Sequence, residues 1–209
     1  MQWKTRALTV LAIVLIAAGI GLLLLVGENG HLTPHAPTDD GPSSVKLGRQ
    51  TIDSYQVPPD LPRYIAIPSI KVPKTRVIQL GVDKNNKIAV PNNIYDTGWY
   101  KDSAKPGQNG AMFIYGHVSN WTANGIFYNL KKLQPGDKII ITRGDNKVFT
   151  YRVDTTKTYP YDKVPMQTVL APTDSSKPGL NLMTCTGQII KGTSEFNERL
   201  VVFATLTNT

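Results

Sequence analysis

Three side chains after residue 60 could together carry out acyl transfer. Cys185 in NLMTCTGQ is the only cysteine of the chain, His117 lies in FIYGHVSN, and Arg199 lies in FNERLVVFATL. A thiolate attacks an acyl carbon, and an imidazolium donates a proton to the leaving amine. An arginine stays charged and offers several N–H groups to the oxyanion that forms. The three residue types therefore supply a nucleophile, a general acid and an oxyanion stabiliser without a metal or cofactor.

Each of the three residues also has an ordinary structural explanation. A free cysteine is often a small buried apolar side chain, and a histidine at a strand end is often only hydrogen-bonded. An arginine at the edge of a barrel often forms a surface ion pair. Outside the cytoplasm, an unpaired cysteine also indicates a disulfide between chains or a reactive thiol. Taken singly, the residues leave a nucleophile, a packing residue and a cross-link open for Cys185.

Two neighbouring residues are candidates for substrate contact. Thr184 directly precedes Cys185, where either substrate contact or strand packing would explain it, and Asn120 follows His117 on a predicted loop. His31 and His35 have the spacing of a metal pair on a helix, but the intervening proline and nearby glycines argue against a helix there. We therefore predict no metal site and no cofactor.

The N-terminal segment predicts a membrane anchor. Residues 1–6 contain Lys4 and Arg6 and no acid, and residues 7–26 form an apolar run without charge or proline. That run is long enough to cross a bilayer, and the preceding positive charge predicts a cytoplasmic N-terminus. A cleaved signal peptide is the alternative, but it needs a shorter apolar region and a small-x-small cleavage site, which LLLLVGENG lacks.

The rest of the chain divides into a linker and a β-rich domain. Residues 27–60 are rich in Gly, Pro, Ser, Thr and Asp, which predicts a flexible linker. Residues 61–209 contain about eight strand-like runs separated by turn signals, and GIFYNLKKLQPGD has apolar residues near helical spacing. This pattern predicts an all-β domain, an eight-stranded β-barrel with one or two short helices. A β-sandwich is the alternative.

The net charge of +8 does not indicate nucleic-acid binding. Such binding requires basic residues clustered with exposed aromatic side chains, whereas the lysines and arginines here are scattered among strand-like runs. A solvated basic surface, working near an anionic cell envelope, explains the charge.

The three motifs resemble those of the sortases, which are cysteine transpeptidases of bacterial cell envelopes. YGH with His117 resembles the family's Gly-His strand end, LMTC resembles its Leu-x-Thr-Cys signature, and RLVVFA resembles its arginine and final strand. The order of the motifs and their separations of 68 and 14 residues are also similar to the family, as is YIAIPSIKVPKTRVI. The resemblance covers about Leu61 to Leu206 and is closest to class F, with classes D and E as near rivals.

The resemblance implies a specific activity. Sortases fold as an eight-stranded β-barrel and cleave a C-terminal sorting signal, often LPxTG-like, between Thr and Gly. The acyl group would pass to Cys185 as a thioester, and then to an amine such as a peptidoglycan precursor or a pilin lysine. With the predicted anchor, the protein would be a single-pass protein of the bacterial cell membrane, with its catalytic domain outside. Calcium dependence is not expected, because the sequence lacks a convincing acidic cluster.

Two rival classes explain less of the sequence. An L,D-transpeptidase is also a cysteine enzyme of the cell envelope, but its His-Gly-Cys signature is absent because Met183 and Thr184 precede Cys185. A non-enzymatic anchored β-domain would explain the anchor, linker and barrel, but not the unpaired thiol beside a histidine and an arginine.

The protonation states of the predicted catalytic pair also need an explanation. With ordinary pKa values of about 8.5 for Cys and 6.5 for His, roughly 1% of molecules would hold thiolate and imidazolium together near neutral pH. Either the site shifts these pKa values or the enzyme works through a minor form. A bell-shaped dependence of rate on pH is predicted.

Overall fold

Eight strands close into a β-barrel in the computed structural model, which describes residues 43–83 and 87–208. Their order around the barrel is β1-β2-β3-β4-β7-β8-β6-β5, and β5 pairs with β1 to close it. The barrel prediction is confirmed, and the sandwich alternative is wrong. The strands are β1 (Pro62–Ile67), β2 (Val72–Leu80), β3 (Thr97–Tyr100), β4 (Ala111–Gly116), β5 (Lys138–Arg143), β6 (Val148–Pro160), β7 (Gly179–Ile189) and β8 (Phe196–Asn208).

The helices within the described residues are short. They are α1 (Arg49–Asp53), α2 (Met166–Val169) and two 3₁₀ helices at Pro68–Ile70 and Leu130–Lys132. The second 3₁₀ helix lies in the segment whose apolar spacing predicts a helix. Among the described residues, no helix is long and apolar enough to cross a membrane. The predicted anchor at residues 7–26 lies outside the described residues.

Apolar side chains fill the barrel and also cover one wall of it from outside. Along β7, Leu180 and Leu182 face the interior core, while the alternate positions face outward. On the outer face, buried side chains of β4 and β8 form a second apolar cluster with Val169 of α2. The Asn181 side chain donates hydrogen bonds to the carbonyls of Val169 (2.7 Å) and Ala171 (2.9 Å), which holds α2 against this wall. β4 is thus buried on both faces, which explains its continuous apolar run.

Hydrogen bonds join part of residues 43–60 to the barrel. The Tyr55 hydroxyl donates to a β2 carbonyl (2.9 Å), and the Tyr64 hydroxyl donates to a carbonyl of α1 (2.6 Å). The buried Arg63 donates through Nε to the carbonyl of Tyr55 (2.6 Å). These residues therefore differ from the flexible linker predicted through residue 60. The composition of this segment does not predict these contacts, because a few hydrogen bonds to its backbone carbonyls are enough to hold it in place.

The order of the strands brings three strand ends together. β4 and β7 pair in parallel, so their C-terminal ends lie at the same end of the barrel. β8 runs antiparallel to β7, so its N-terminal end lies there too. This end of the barrel carries all three residues that the sequence selects for acyl transfer.

Candidate active site

Cys185 and Arg199 lie on adjacent strands, and His117 directly follows the last residue of β4, the strand on the other side of β7. In the β4–β7 pair, Tyr115 lies opposite Met183, and the Thr184 hydroxyl bonds to the Gly116 carbonyl, so His117 and Cys185 follow these partners at the same end of the barrel. In the β7–β8 pair, Cys185 lies directly opposite Arg199. The cysteine therefore stands between the histidine and the arginine.

Cys185 and Arg199 share one face of the barrel wall. Residues two apart on a strand point to the same side. Cys185 follows Met183 of the outer apolar cluster by two positions, and Arg199 precedes Val201 of that cluster by two. Both side chains therefore face outward at the end of the wall that the outer cluster covers.

Thr184 fixes the two strands that carry the cysteine and the histidine. Its hydroxyl donates a hydrogen bond to the carbonyl of Gly116 (2.8 Å), and its side chain is buried. This bond joins β7 to β4 one residue before Cys185 and His117. The structure thus shows a positioning role for Thr184, and substrate contact stays a prediction.

The ring of His117 is held by backbone. Nε2 lies 2.9 Å from the carbonyl oxygen of Pro91, and because a carbonyl can only accept, Nε2 carries the proton. The His117 carbonyl accepts from the backbone N–H of Phe127 (3.0 Å). Gly125 permits this close approach, because a Cβ there would lie 2.4 Å from the His117 oxygen. The ring orientation is therefore set before substrate arrives.

Hydrogen bonds to residues at the start of β8 hold the guanidinium of Arg199. Nη1 donates to the carbonyls of Phe196 (2.9 Å) and Glu198 (3.0 Å), and Nη2 donates to the carboxylate of Glu195 (2.7 Å). The side chain is 13% exposed, and the guanidinium lies 5.8 Å from the ring centre of Tyr161. Of its five N–H groups, Nε–H and one on Nη2 have no partner among the described residues. These two remain to bind an oxygen of a substrate.

Burial works against ionisation of both the cysteine and the histidine. Burial raises the pKa of the Cys185 thiol; the positive charge of Arg199 opposes this, and the negative charge of Glu195 adds to it. Burial also lowers the pKa of His117, against the effect of its hydrogen bond to Pro91. Both shifts favour a neutral thiol beside a neutral imidazole. The thiolate–imidazolium form is therefore a minor one.

These pKa shifts predict the pH values at which the rate of the reaction decreases. The reactive form needs a thiolate and an imidazolium, so its population is constant between the two pKa values and falls outside them. We expect kcat/KM for a fluorogenic peptide that carries the sorting signal to fall on the acid side below the ordinary pKa of histidine and on the alkaline side above the ordinary pKa of cysteine, because burial lowers the pKa of His117 and raises the pKa of Cys185. Circular dichroism at each pH controls for unfolding. An acid limb above pH 7, as for a thiolate of lowered pKa, would contradict this assignment.

Arg199→Lys tests the role of the guanidinium. The lysine keeps the charge but loses the planar fork and cannot make the same set of hydrogen bonds. Loss of one hydrogen-bond donor to the oxyanion lowers kcat by about 10²–10³. We expect the rate of peptide cleavage to fall by a factor of that size. Arg152→Lys is the matched control, since Arg152 is an exposed barrel arginine bonded to the Gly136 carbonyl. Near-normal activity of Arg199→Lys would leave Arg199 only as the structural partner of Glu195.

The sequence and the fold both match one family. A family model described as the sortase domain matches residues 65–207, a range that contains His117, Cys185 and Arg199. The chain belongs to the sortase family. As a sortase it is a cysteine transpeptidase, and Cys185 is its only cysteine.

Solved sortase structures share the barrel. The lid mutant of sortase A from Corynebacterium diphtheriae is 26% identical, with a TM-score of 0.54, and the match covers 72% of each chain. Sortase D5 from Clostridium perfringens is 24% identical over 76% of this chain and 86% of that one, with a TM-score of 0.51. Sortase C1 from Streptococcus agalactiae is 22% identical over 70% and 67%, with a TM-score of 0.53. The last two show the fold alone. No curated protein sequence matches the chain significantly.

The side chain of Asn120 organises its own loop in this sortase. Its Oδ1 accepts hydrogen bonds from the backbone N–H groups of Thr122 (3.0 Å) and Ala123 (2.8 Å). These bonds close the turn that leads back towards Gly125. The structure does not place Asn120 in the lining of the cavity beside Cys185, and its contact with substrate stays a prediction.

Two groups that hold the site were not found from the sequence. Glu195 binds the guanidinium of Arg199, and the Pro91 carbonyl orients the ring of His117. Glu195 lies only four residues from Arg199 and could have been examined as its partner. The sequence around Pro91 gives no comparable indication, because its carbonyl reaches the ring of His117 only through the fold of the β2–β3 connection.

Proposed function

We propose that this sortase is a membrane-anchored enzyme that cleaves an LPxTG-like sorting signal between Thr and Gly. The acyl group forms a thioester with Cys185 and then passes to an amine acceptor such as a peptidoglycan precursor or a pilin lysine. The observation that carries this proposal is the placement of Cys185 opposite Arg199, with His117 directly after the end of β4, the strand that pairs with β7 on its other side.

The geometry supports a two-step transfer. The Cys185 thiolate attacks the threonine carbonyl of the signal, and the two remaining N–H groups of Arg199 stabilise the oxyanion. The imidazolium of His117 gives its proton to the departing glycine amine, the C–N bond breaks, and the thioester remains. In the second step an amine attacks the thioester and gives a proton to His117. The C–S bond then breaks, and its electron pair returns to the sulfur.

The outer apolar cluster supports a hydrophobic donor peptide. Partly buried apolar side chains pack against the outer cluster, on the face of the wall towards which Cys185 points. Leu and Pro side chains of an LPxTG-like signal would bury their surface there. The contributing side chains are Leu80, Ile88, Tyr159, Val164, Met166 and Met183.

The cellular setting follows from the sequence. An anchor at residues 7–26 with a cytoplasmic N-terminus would hold the catalytic domain outside the bacterial cell membrane, where it meets secreted substrates. The TCTG motif supports class F, with classes D and E as alternatives.

A library of sorting-signal peptides tests the proposal. The protein is incubated with LPxTG-like peptides and an excess of a simple amine, and the products are identified by mass spectrometry. We expect cleavage between Thr and Gly in at least one peptide, together with a product carrying the amine. Enzyme alkylated at Cys185 is the control and should be inactive. Cleavage of no sorting signal, or processing of a peptidoglycan stem peptide instead, would overturn the proposal.

A further inference from the structure

Residues 43–45, which we call the N-terminal arm, pair with the connection between β2 and β3. The backbone N–H of Ser43 donates a hydrogen bond to the carbonyl of Asn92 (2.7 Å), and the carbonyl of Ser43 accepts one from the N–H of Ile94 (2.9 Å). The two segments run parallel at this point. The arm therefore binds the backbone of the connection on both sides of one residue.

That residue, Asn93, adds a bond from its side chain. Its Nδ2 donates to the carbonyl of Val45 (2.8 Å), and its Oδ1 accepts from the backbone N–H of Tyr95 (2.9 Å). The side chain is partly buried between the two segments that it joins. One amide thus fixes the conformation of the connection and fastens the arm to it.

The connection that the arm holds leads directly to the ring of His117. Pro91, whose carbonyl accepts from Nε2 of His117, immediately precedes the residues that the arm binds. On the far side of the connection, the carbonyl of Ile94 accepts from the N–H of Ile126 (2.8 Å), and the next residue, Phe127, donates to the carbonyl of His117 (3.0 Å). The connection is therefore held between the arm and the segment that binds the backbone of the histidine.

The bond to Pro91 decides which nitrogen of His117 transfers the proton. Nε2 donates to that carbonyl, whereas Nδ1 makes no hydrogen bond to any residue that the structure describes. In the imidazolium, Nδ1 also carries a proton, and this proton passes to the departing glycine nitrogen as the C–N bond breaks. The neutral imidazole keeps its Nε2–H on the carbonyl. A displaced carbonyl would redirect Nδ1, and a misplacement of about 1 Å can lower a rate about 10²-fold.

We propose that the N-terminal arm is a positioning element for His117, acting through Asn93 and the carbonyl of Pro91. This inference rests on the proposed function, in which His117 gives a proton to the leaving amine. The arm fixes the connection, the connection fixes the carbonyl, and the carbonyl fixes the orientation of the ring. A segment that the sequence predicts as a passive linker to the membrane anchor thus takes part in catalysis.

Two substitutions in the full-length protein loosen the arm from opposite sides. Asn93→Asp keeps an acceptor for the N–H of Tyr95 but places an oxygen against the carbonyl of Val45, which repels it. Ser43→Pro removes the N–H that donates to Asn92. We expect each variant to lower kcat for a peptide that carries the sorting signal by about 10–100-fold. KM should change by less than about twofold, because the role is orientation of a proton donor rather than binding.

Asn92→Asp and Ser43→Ala are the matched controls. The side chain of Asn92 is exposed and makes no hydrogen bond within residues 43–83 and 87–208, so Asn92→Asp adds the same charge one residue away. Ser43→Ala removes only the hydroxyl and keeps the backbone groups that pair with the connection. Both controls should keep the wild-type kcat, and circular dichroism of all four variants checks the fold. A fall in Asn92→Asp equal to that in Asn93→Asp would show an effect of charge alone and would overturn the inference.

Combination with His117→Ala decides whether the arm acts through the histidine. The rate of peptide cleavage is measured by mass spectrometry under single-turnover conditions, with the enzyme in excess. If the arm only positions His117, Asn93→Asp should lower the rate of the His117→Ala protein by less than about twofold. A full additional loss in that background would overturn the inference, because the arm would then act on the fold as a whole. An unchanged kcat in both arm variants would overturn it as well.

These outcomes are distinct from failure of the proposed function. Each of them leaves cleavage by the wild type intact. Failure of the wild type to cleave any sorting signal, or a wild-type rate in the His117→Ala protein, would overturn the proposed function itself, and the role of the arm with it.

Discussion

Cys185→Ala should abolish both cleavage of the donor peptide and transfer to an amine. The chain has no second cysteine that could replace the nucleophile. Removing the nucleophile of a covalent enzyme costs on the order of 10⁶ in kcat, which places the variant below detection in a peptide assay. The side chain is small and only partly buried, so we expect the barrel to form as in the wild type. Product formation is measured by liquid chromatography with mass spectrometry.

Cys185→Ser is the matched control for this prediction. The serine keeps a side chain of similar shape, but its hydroxyl ionises far less readily than a thiol, so this variant should also be inactive while its circular dichroism matches the wild type. Transfer by the alanine variant at more than about one thousandth of the wild-type rate would contradict the assignment, since the residual catalysis would then come from another group.

His117→Ala should lower the rate of donor cleavage by about 10²–10⁴. The departing glycine amine needs a proton, and His117, directly after β4, is the candidate that can supply it. Because the proposed role of His117 is proton transfer rather than binding of the peptide, the loss should appear in kcat more than in KM. Steady-state kinetics with a fluorogenic donor peptide gives both parameters.

His117→Asn separates proton transfer from a structural role. An asparagine amide can still donate a hydrogen bond towards the Pro91 carbonyl, which accepts from Nε2 in the wild type, but it cannot transfer a proton. We expect the asparagine variant to be as inactive as the alanine variant. Recovery of activity in the asparagine variant would show that His117 serves only to order the connection at Pro91.

The sequence predicted the barrel because each strand carries its own signal. Alternating runs such as YIAIPSI, and the continuous run of β4, mark strands that are buried on one face or on both. The three candidate site residues were selected because each stands at the end or start of such a run. Their grouping rested on the complementary chemistry of Cys, His and Arg and on the resemblance to a family. The register that places Cys185 between His117 and Arg199 needed the structure.

The remaining features depend on contacts between distant segments. The packing of residues 43–60 against the barrel uses the Tyr55 carbonyl and hydroxyl, and no local pattern marks these groups. Asn120 was chosen because it is a polar loop residue near His117. That criterion does not distinguish a side chain that contacts substrate from one that bonds to the backbone of its own turn, as Asn120 does. These contacts arise only once the barrel has closed.

The most direct test of a transpeptidase built on Cys185 is capture of its acyl-enzyme. The protein is mixed with an intact LPxTG-like peptide that it is known to cleave, in the absence of an amine. The mixture is quenched in acid, digested at low pH and sequenced by tandem mass spectrometry. We predict that the peptide containing Cys185 carries the mass of the donor up to its threonine, and that hydroxylamine removes this mass. Donor cleavage accompanied by acylation of any other residue, or by no acylation and no sensitivity to thiol reagents, would contradict the mechanism.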